Sequence, residues 1–326
     1  MTGHHRDATN LYGEIRLYGG TSTPDLAQEI SDYLQTPLGG RDITQFPNGN
    51  LFVRLHSSAR GQDVYVIQTT GQPVNDNLME LLITLQTLKL DSAARITAVV
   101  PYMCYSRSDK KDQPRVPITA RLVADMIEAA GADRYVTIDL HAGQIQGFFS
   151  IPGDVLTAFH VVSDYFLTRR ADMRDPVIVT ADLGFAKKGR NFAAKLGTTM
   201  AFIEKRRTGN DANAEAMTVI GDVNGKDVII VDDEVDTGGS VVQAVNIVRE
   251  HGARNIYLSF VHPVLSDPAT ERLKALDLKE IVTTNTIPIP PRKALDNMTV
   301  LSVAPLLGEV IRRAHEGRSV GEMFNE

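Results

Sequence analysis

The stretch Asp227–Val245, DVIIVDDEVDTGGSVVQAV, decides the fold. Val228–Val231 are four consecutive apolar residues, as in a strand buried on both faces. Asp232 and Asp233 stand at its carboxyl end. Thr237, Gly238, Gly239 and Ser240 then supply a tight turn, after which the apolar spacing becomes helical. A strand, a small-residue turn and a helix N-terminus together present backbone N–H groups to a phosphate. The carboxylates beside them suit the hydroxyls of a sugar or a hydrated magnesium ion. The segment therefore reads as a sugar-phosphate site at the edge of a parallel sheet.

Strands and helices alternate on either side of it. In the first half, strands are expected at Ile15–Tyr18, Asp63–Gln68, Arg95–Pro101 and Tyr135–Leu140. Helices are expected at Asp25–Leu34, Asn75–Leu90 and Pro117–Ala130, the first opened by a Thr23 cap with Pro24, the last ended by Gly131. Leu78, Leu81, Leu82, Leu85 and Leu88 form one apolar stripe. The second half repeats the pattern. Strands are expected at Pro176–Thr180, Thr199–Ile203, Val219–Asp222, Asp227–Val231, Asn255–Val261 and Ile281–Thr284, with an Asn224-Gly225 turn between the third and fourth. Helices are expected at Phe185–Leu196, Gly239–His251 and Ala304–His315. The fold class is α/β, with two tandem doubly wound parallel-sheet domains. The expected division is a tail at 1–12, domains at 13–152 and 153–303 meeting near Ser150–Asp154, and a C-terminal helix at 304–326 packing back on the first domain.

The 326 residues suffice for two cores. Apolar content of 43% and charged content of 23% are ordinary for a globular protein. A net charge of −6 gives no global reason to expect nucleic acid or anionic lipid as a partner. No apolar run approaches the roughly 20 residues needed to span a bilayer. Cys104 is the one cysteine, which fits a reducing, cytoplasmic setting. His4 and His5 read as part of a loose tail.

Four further segments carry candidate chemistry. The loop PYMCYSRSDKKDQPRVPIT, Pro101–Thr119, gathers Arg107, Lys110, Lys111 and Arg115 around Asp109 and Asp112. Its length suits a lid or binding loop, and its cations suit a polyphosphate; a solvated charged loop is the plain alternative. In DLHAGQIQGFF, Asp139–Phe149, His141 lies just past a strand end and can be a metal ligand, a base or a structural hydrogen-bonder. Asp182 follows the strand before it and either caps a helix or binds metal or ribose. After Thr199–Ile203 come Lys205, Arg206 and Arg207. In an extended chain Lys205 and Arg207 share a side, where they could neutralise a transferring phosphoryl group. Gly225-Lys226 is no Walker motif, and neither zinc spacing nor a G-x-S-x-G elbow is present.

Together these segments resemble the ribose-phosphate pyrophosphokinases of the common bacterial and animal class, over Ile15–Phe324. The markers are Asp63–Gln68 with Pro73-Val74-Asn75, the Tyr105–Lys111 loop, Pro117–Ala120, DLHAGQIQGFF, Lys205-Arg206-Arg207, DDEVDTGGS and His262–Ser266, in order. The resemblance implies domains of the type I phosphoribosyltransferase kind. It also implies transfer of the pyrophosphoryl group of ATP to the 1-hydroxyl of ribose 5-phosphate, with Mg²⁺ required. By the same resemblance His141 and Asp182 help hold the metal–nucleotide complex, and Lys205 and Arg207 stabilise the transition state. Arg107, Ser108 and Asp109 belong to the catalytic loop on the ATP side, and Asp232, Asp233, Asp236, Thr237, Gly238, Gly239 and Ser240 to the ribose 5-phosphate loop. Phe46 and Asn48 match an adenine-binding segment lent by a neighbouring subunit, in hexamers built from dimers.

The chain departs from the pattern at Asn50, where glutamate is usual, at Ser108, and at Leu183-Gly184-Phe185, where a glycine pair is usual. These changes motivate a variant in which the acceptor is a larger 5-substituted ribose phosphate such as ADP-ribose. Two other readings are a phosphoribosyltransferase, which the second α/β half and Lys205–Arg207 oppose, and a non-catalytic regulatory paralogue.

Overall fold

The computed structural model describes residues 12–180, 186–207 and 215–323, with the backbone alone at 205–207 and 215–217. The chain divides into two compact units. One holds the residues up to Leu156 together with those from Ser302 onward, and the other holds Thr157–Leu301.

The first unit is built on a five-stranded parallel sheet in the order β1 (Ile15–Gly19), β4 (Asp63–Ile67), β5 (Arg95–Val100), β6 (Arg134–Ile138), β7 (Gly153–Leu156). Every residue of β4 and β5 is buried, the burial expected of strands covered on both faces. One cover contains α2 (Val74–Leu90), whose Leu78, Leu81, Leu85 and Leu88 join the core with Val123 and Ile127 of α3 (Thr119–Ala130). Gly131 ends α3 with φ 121°. The other cover pairs α1 (Pro24–Leu34) with the C-terminal helix α8 (Ala304–Glu316). Leu307, Val310 and Ile311 of α8 are fully buried. At roughly 1.5–3 kcal/mol per fully buried aliphatic side chain, they dominate its docking.

A polar clamp adds direction. Arg95 donates to both carboxylate oxygens of the fully buried Asp63, at 2.8 and 2.6 Å, and to the carbonyl of Ala314 at 3.1 Å. His315 Nδ1 lies 2.8 Å from Asp63. Burial raises the Tyr65 hydroxyl pKa, and the Asp63 charge raises it further.

The second unit has a seven-stranded sheet in the order β10 (Glu215–Ile220), β9 (Thr199–Arg207), β8 (Val177–Thr180), β11 (Val228–Glu234), β12 (Ile256–His262), β13 (Glu280–Thr284), β14 (Met298–Leu301). All pairings are parallel except β9 with β10. Helices α4 (Phe159–Thr168) and α5 (Ala186–Leu196) contribute Val162, Phe166, Phe192 and Leu196 to the core on one face. On the other, α6 (Gly239–Glu250) and α7 (Ala269–Lys274) contribute Val241, Val245, Val248 and Leu273. Asp227 and Arg254, just before β11 and β12, form a bidentate pair at 2.8 and 2.7 Å, as Asp63 and Arg95 do between the central strands of the first unit. This correspondence is the clearest structural trace of a repeat.

Several details differ from the sequence expectation. Asn224-Gly225 makes a turn, with Gly225 at φ 69°, but no hairpin. The preceding strand, β10, pairs with β9, while β11 inserts between β8 and β12. Paired on both sides and covered by helices on both faces, β11 holds the central position that its continuous apolar run suits. Thr23 precedes α1, but its hydroxyl makes no capping bond and is buried without a partner. The junction expected at Ser150–Asp154 runs instead into Gly153–Leu156, the edge strand of the first sheet, and the first unit extends to Leu156. The sequence reading contains no counterpart of the hairpin formed by β2 (Arg41–Gln45) and β3 (Leu51–Leu55), or of α4, α7 and β14.

Candidate functional site

In the second unit the chain leaves β8 for β9 on one side and later returns to β11 on the other. The carboxyl ends of β8 and β11 thus flank a topological switch point, where open α/β sheets place their ligands. Pairing with β8 ends at Val231, opposite Thr180, so Asp232 begins the stretch that is paired on the β12 side alone, opposite Phe260. The Asp233 N–H donates to Asp232 at 2.9 Å and the Glu234 N–H to Asp233 at 2.9 Å. Burial pushes the Asp232 carboxyl well above the ordinary range, and the adjacent Asp233 charge pushes it further.

Gly238, at φ 75°, closes the turn and accepts the Val242 N–H at 3.0 Å. Only glycine takes this backbone at no steric cost. The first amides of α6 precede the helix's own bonding pattern and are available to a phosphate. Thr237 and Ser240 are exposed beside them. The loop is braced from outside. Val235 exchanges backbone bonds with His262 (3.1 Å) and Leu265 (2.8 Å), Lys293 Nζ donates to the Leu265 carbonyl at 2.6 Å, and Arg272 donates to the Thr237 carbonyl at 2.8 Å. The His262–Ser266 marker is thus the buttress of this loop.

In the first unit, Arg107, Ser108, Asp109 and His141 all follow the carboxyl ends of adjacent strands, β5 and β6. Asp139 ends β6 in the left-handed region, φ 40°, and is buried. Cys104 N donates to Thr70 Oγ1 at 2.8 Å, and burial pushes the Cys104 thiol up to about 11. The Ser108 hydroxyl accepts the Thr119 N–H at 3.3 Å and its carbonyl the Ala120 N–H at 3.1 Å, so this residue serves the start of α3. Asp109 is buried and accepts from Gln144, three residues beyond His141. Arg107, Lys110, Lys111 and Arg115 are exposed.

Phe46 and Asn48 occupy the tip of the β2–β3 hairpin. Asn48 Oδ1 accepts the Asn50 N–H at 3.1 Å, Gly49 adopts φ 86°, and Phe46 is 45% exposed, 6.0 Å from the Phe52 ring. Asp182, with Leu183 and Phe185, lies outside the described residues, as do the side chains of Lys205 and Arg207. The β9 backbone runs through both, Lys205 opposite Met217 and Arg207 opposite Glu215.

Residues 15–131 match the N-terminal domain of ribose phosphate pyrophosphokinase, and residues 209–325 match the phosphoribosyl synthetase-associated domain. A ribose-phosphate pyrophosphokinase of Caldanaerobacter subterraneus subsp. tengcongensis is 48% identical over 310 residues, covering 95% of this chain and 98% of the relative. The chain belongs to the ribose-phosphate pyrophosphokinase family. The Aquifex aeolicus ribose-phosphate pyrophosphokinase is 44% identical, with 95% and 99% covered. The crystal structure of phosphoribosylpyrophosphate synthetase from Mycobacterium smegmatis superposes with a TM-score of 0.88 at 42% identity, covering 93% of this chain and 99% of that one. This ribose-phosphate pyrophosphokinase fold also uses Arg272 and Lys293, which lie outside the motifs, and Gln144 and the Tyr105–Asn75 pair, which lie inside them but carry no role in the sequence reading. Each acts through a partner roughly 30 positions away, which local patterning does not register.

Proposed function

We propose that the chain transfers the β,γ-pyrophosphoryl group of Mg-ATP to the 1-hydroxyl of ribose 5-phosphate, giving 5-phosphoribosyl 1-pyrophosphate and AMP. The observation that carries this reading is the β11–Gly238–α6 turn at the switch point, with Asp232 and Asp233 beside it. Its amides suit the 5-phosphate, and the carboxylates suit the ribose hydroxyls. Asp236, Thr237, Gly239 and Ser240 complete the sugar site in this reading. The hydroxyl oxygen attacks the β-phosphorus, the bond from that phosphorus to the α-phosphate oxygen breaks, AMP leaves, and the hydroxyl proton passes to solvent.

Such a transfer needs alignment and charge neutralisation more than a dedicated base. Arg107, Ser108 and Asp109 serve the nucleotide side, and Lys205 and Arg207 neutralise the group in transit. Mg²⁺ would be held by His141 and Asp182 with the nucleotide phosphates, supplying charge neutralisation there. Among the described residues no three or more His, Cys, Asp or Glu side chains converge as a metal cage. An ion that keeps its waters and binds largely through substrate phosphates needs none, so the donor set suits Mg²⁺. The hairpin tip, where Phe46 is exposed, reaches the base in a neighbouring copy, within a hexamer built from dimers in the cytoplasm. No described helix is long and apolar enough to cross a membrane.

AMP release from Mg-ATP, measured with ribose 5-phosphate and separately with ADP-ribose, tests the proposal. Release with ribose 5-phosphate is expected. Release with ADP-ribose alone would move the acceptor to the larger sugar, and inertness toward both would indicate the regulatory paralogue.

A further inference from the structure

We propose that Tyr105 and Asn75 are positioning residues that fix the turn carrying Arg107. The inference rests on the reading of Arg107 as a nucleotide contact. The long loop after β5 is not one uniform excursion. Residues 105–108 form a tight turn, closed by the Ser108 N–H donating to the Tyr105 carbonyl at 2.9 Å. Arg107 sits inside that turn. Its far end is pinned to the start of α3 through Ser108, and the next residue, Asp109, accepts from Gln144. The nine residues 110–118 leave from Asp109 and return at Thr119, so the cations Lys110, Lys111 and Arg115 belong to the excursion while Arg107 belongs to its fixed base.

The near end of the turn depends on Tyr105. Its backbone is left-handed, φ 58°, a conformation an aromatic residue adopts only when its surroundings hold it there. Its neighbours Cys104 and Ser106 are buried, and the Cys104 N–H is bonded to Thr70, but the Tyr105 side chain itself is not packed. The side chain is 39% exposed and borders an open cavity of about 390 Å³, whose other walls are Tyr102, Cys104 and the segment Pro73–Asp76. What reaches across is one bond, the Tyr105 hydroxyl donating to Asn75 Oδ1 at 2.7 Å. Asn75 lies in the first turn of α2, a rigid element anchored in the core by Leu78 and Leu81. The pair therefore ties the Arg107 turn to α2, while Ser108 ties it to α3. The strain stored at Tyr105 gives the turn a reason to rearrange once that bond is cut. A misplaced Arg107 loses alignment with the charge that develops during transfer.

The test compares Tyr105→Phe, Asn75→Leu, Asn75→Asp and Arg107→Ala, following AMP formation from Mg-ATP and ribose 5-phosphate together with melting temperature. Loss of one hydrogen bond predicts about a 5- to 10-fold fall in kcat for Tyr105→Phe and Asn75→Leu. KM for ribose 5-phosphate and the melting temperature should stay at wild-type values. The double variant should fall no further than either single one. Asn75→Asp keeps an acceptor for the hydroxyl and should recover most of kcat. If Arg107→Ala loses activity while Tyr105→Phe stays within twofold of wild type, the positioning role is overturned and the reading of Arg107 survives. A melting temperature that drops in step with kcat would likewise overturn it, as would an inactive Asn75→Asp. Wild-type turnover in Arg107→Ala would remove the underlying reading itself.

Discussion

Replacing Gly238 by alanine should separate the phosphate role of the turn from its contribution to stability, provided Gly225→Ala is measured beside it. Both glycines are left-handed, at φ 75° and φ 69°. A Cβ on Gly238 would meet Ala269 at 3.6 Å, an ordinary contact, and a Cβ on Gly225 would meet nothing within 4 Å. Sterics beyond the backbone are therefore negligible at both, and each substitution should cost about 1–2 kcal/mol from the left-handed conformation alone. That predicts comparable drops in melting temperature, of about 2–4 °C per kcal/mol in a domain of this size. The functional consequence should differ. Relaxation at residue 238 rotates the peptide whose carbonyl accepts the Val242 N–H, and with it the first amides of α6. Each charge-assisted bond to phosphate lost there is worth roughly 1.5–3 kcal/mol, a tenfold or greater loss of ribose 5-phosphate affinity. Isothermal titration of ribose 5-phosphate into both variants reads the contrast. Equal affinity losses in the two, or an unchanged affinity in Gly238→Ala, would refute the assignment of the phosphate to this turn.

Other perturbations probe separate parts of the account. Lys205→Ala should lower turnover by orders of magnitude at an unchanged melting temperature, because a charge acting on the transition state adds to rate rather than to folding; near-normal AMP production would remove Lys205 from the mechanism. Asp63→Asn should unfold at markedly lower denaturant, by about 3–5 kcal/mol, since Arg95 would lose its buried carboxylate. Burial opposes ionisation of Asp227, but Arg254 and the Arg174 N–H outweigh it and hold the carboxyl below its usual range. Its contribution is present above about pH 4 and is lost as pH falls further, so Asp227→Asn should flatten the acid limb of the stability curve. Asp232 has the opposite sign. Its carboxyl is pushed up to about 8, so the folded state keeps a proton that the unfolded chain gives up near pH 4, and stability falls as pH rises through that window. Asp232→Asn should abolish this slope and be the more stable protein at pH 8 by at least about 1 kcal/mol, one pKa unit being worth that much; identical urea midpoints across pH 5–9 would contradict it.

The central strands were legible because burial on both faces leaves continuous apolar runs, as in β4, β5 and β11. The Asp232–Ser240 turn was legible because its chemistry is contiguous in sequence. The β2–β3 hairpin was not. Its residues alternate weakly, Phe46 and Phe52 face solvent, and it pairs only with itself. Edge strand β7 is short and starts at Gly153, where a Cβ would strike the Tyr135 ring, a reason for glycine that only the packed structure displays. The same holds for the loop after β5. Its charge pattern suggested a lid throughout, yet Ser108 and Asp109 are bound to α3 and to Gln144. Hydrogen bonds that cross 11 or 35 positions leave no periodic signal. The fixed base and the cationic excursion therefore look alike in sequence.

The most direct measurement follows phosphorus in a mixture of this protein, Mg-ATP and ribose 5-phosphate carrying ¹⁸O at the 1-hydroxyl, by ³¹P NMR and mass spectrometry. The account predicts AMP and 5-phosphoribosyl 1-pyrophosphate in equal amounts, with the label retained in the bridge between C1 and phosphorus. Appearance of ADP in place of AMP, or a product without the labelled bridge, would contradict transfer of a pyrophosphoryl group to that hydroxyl.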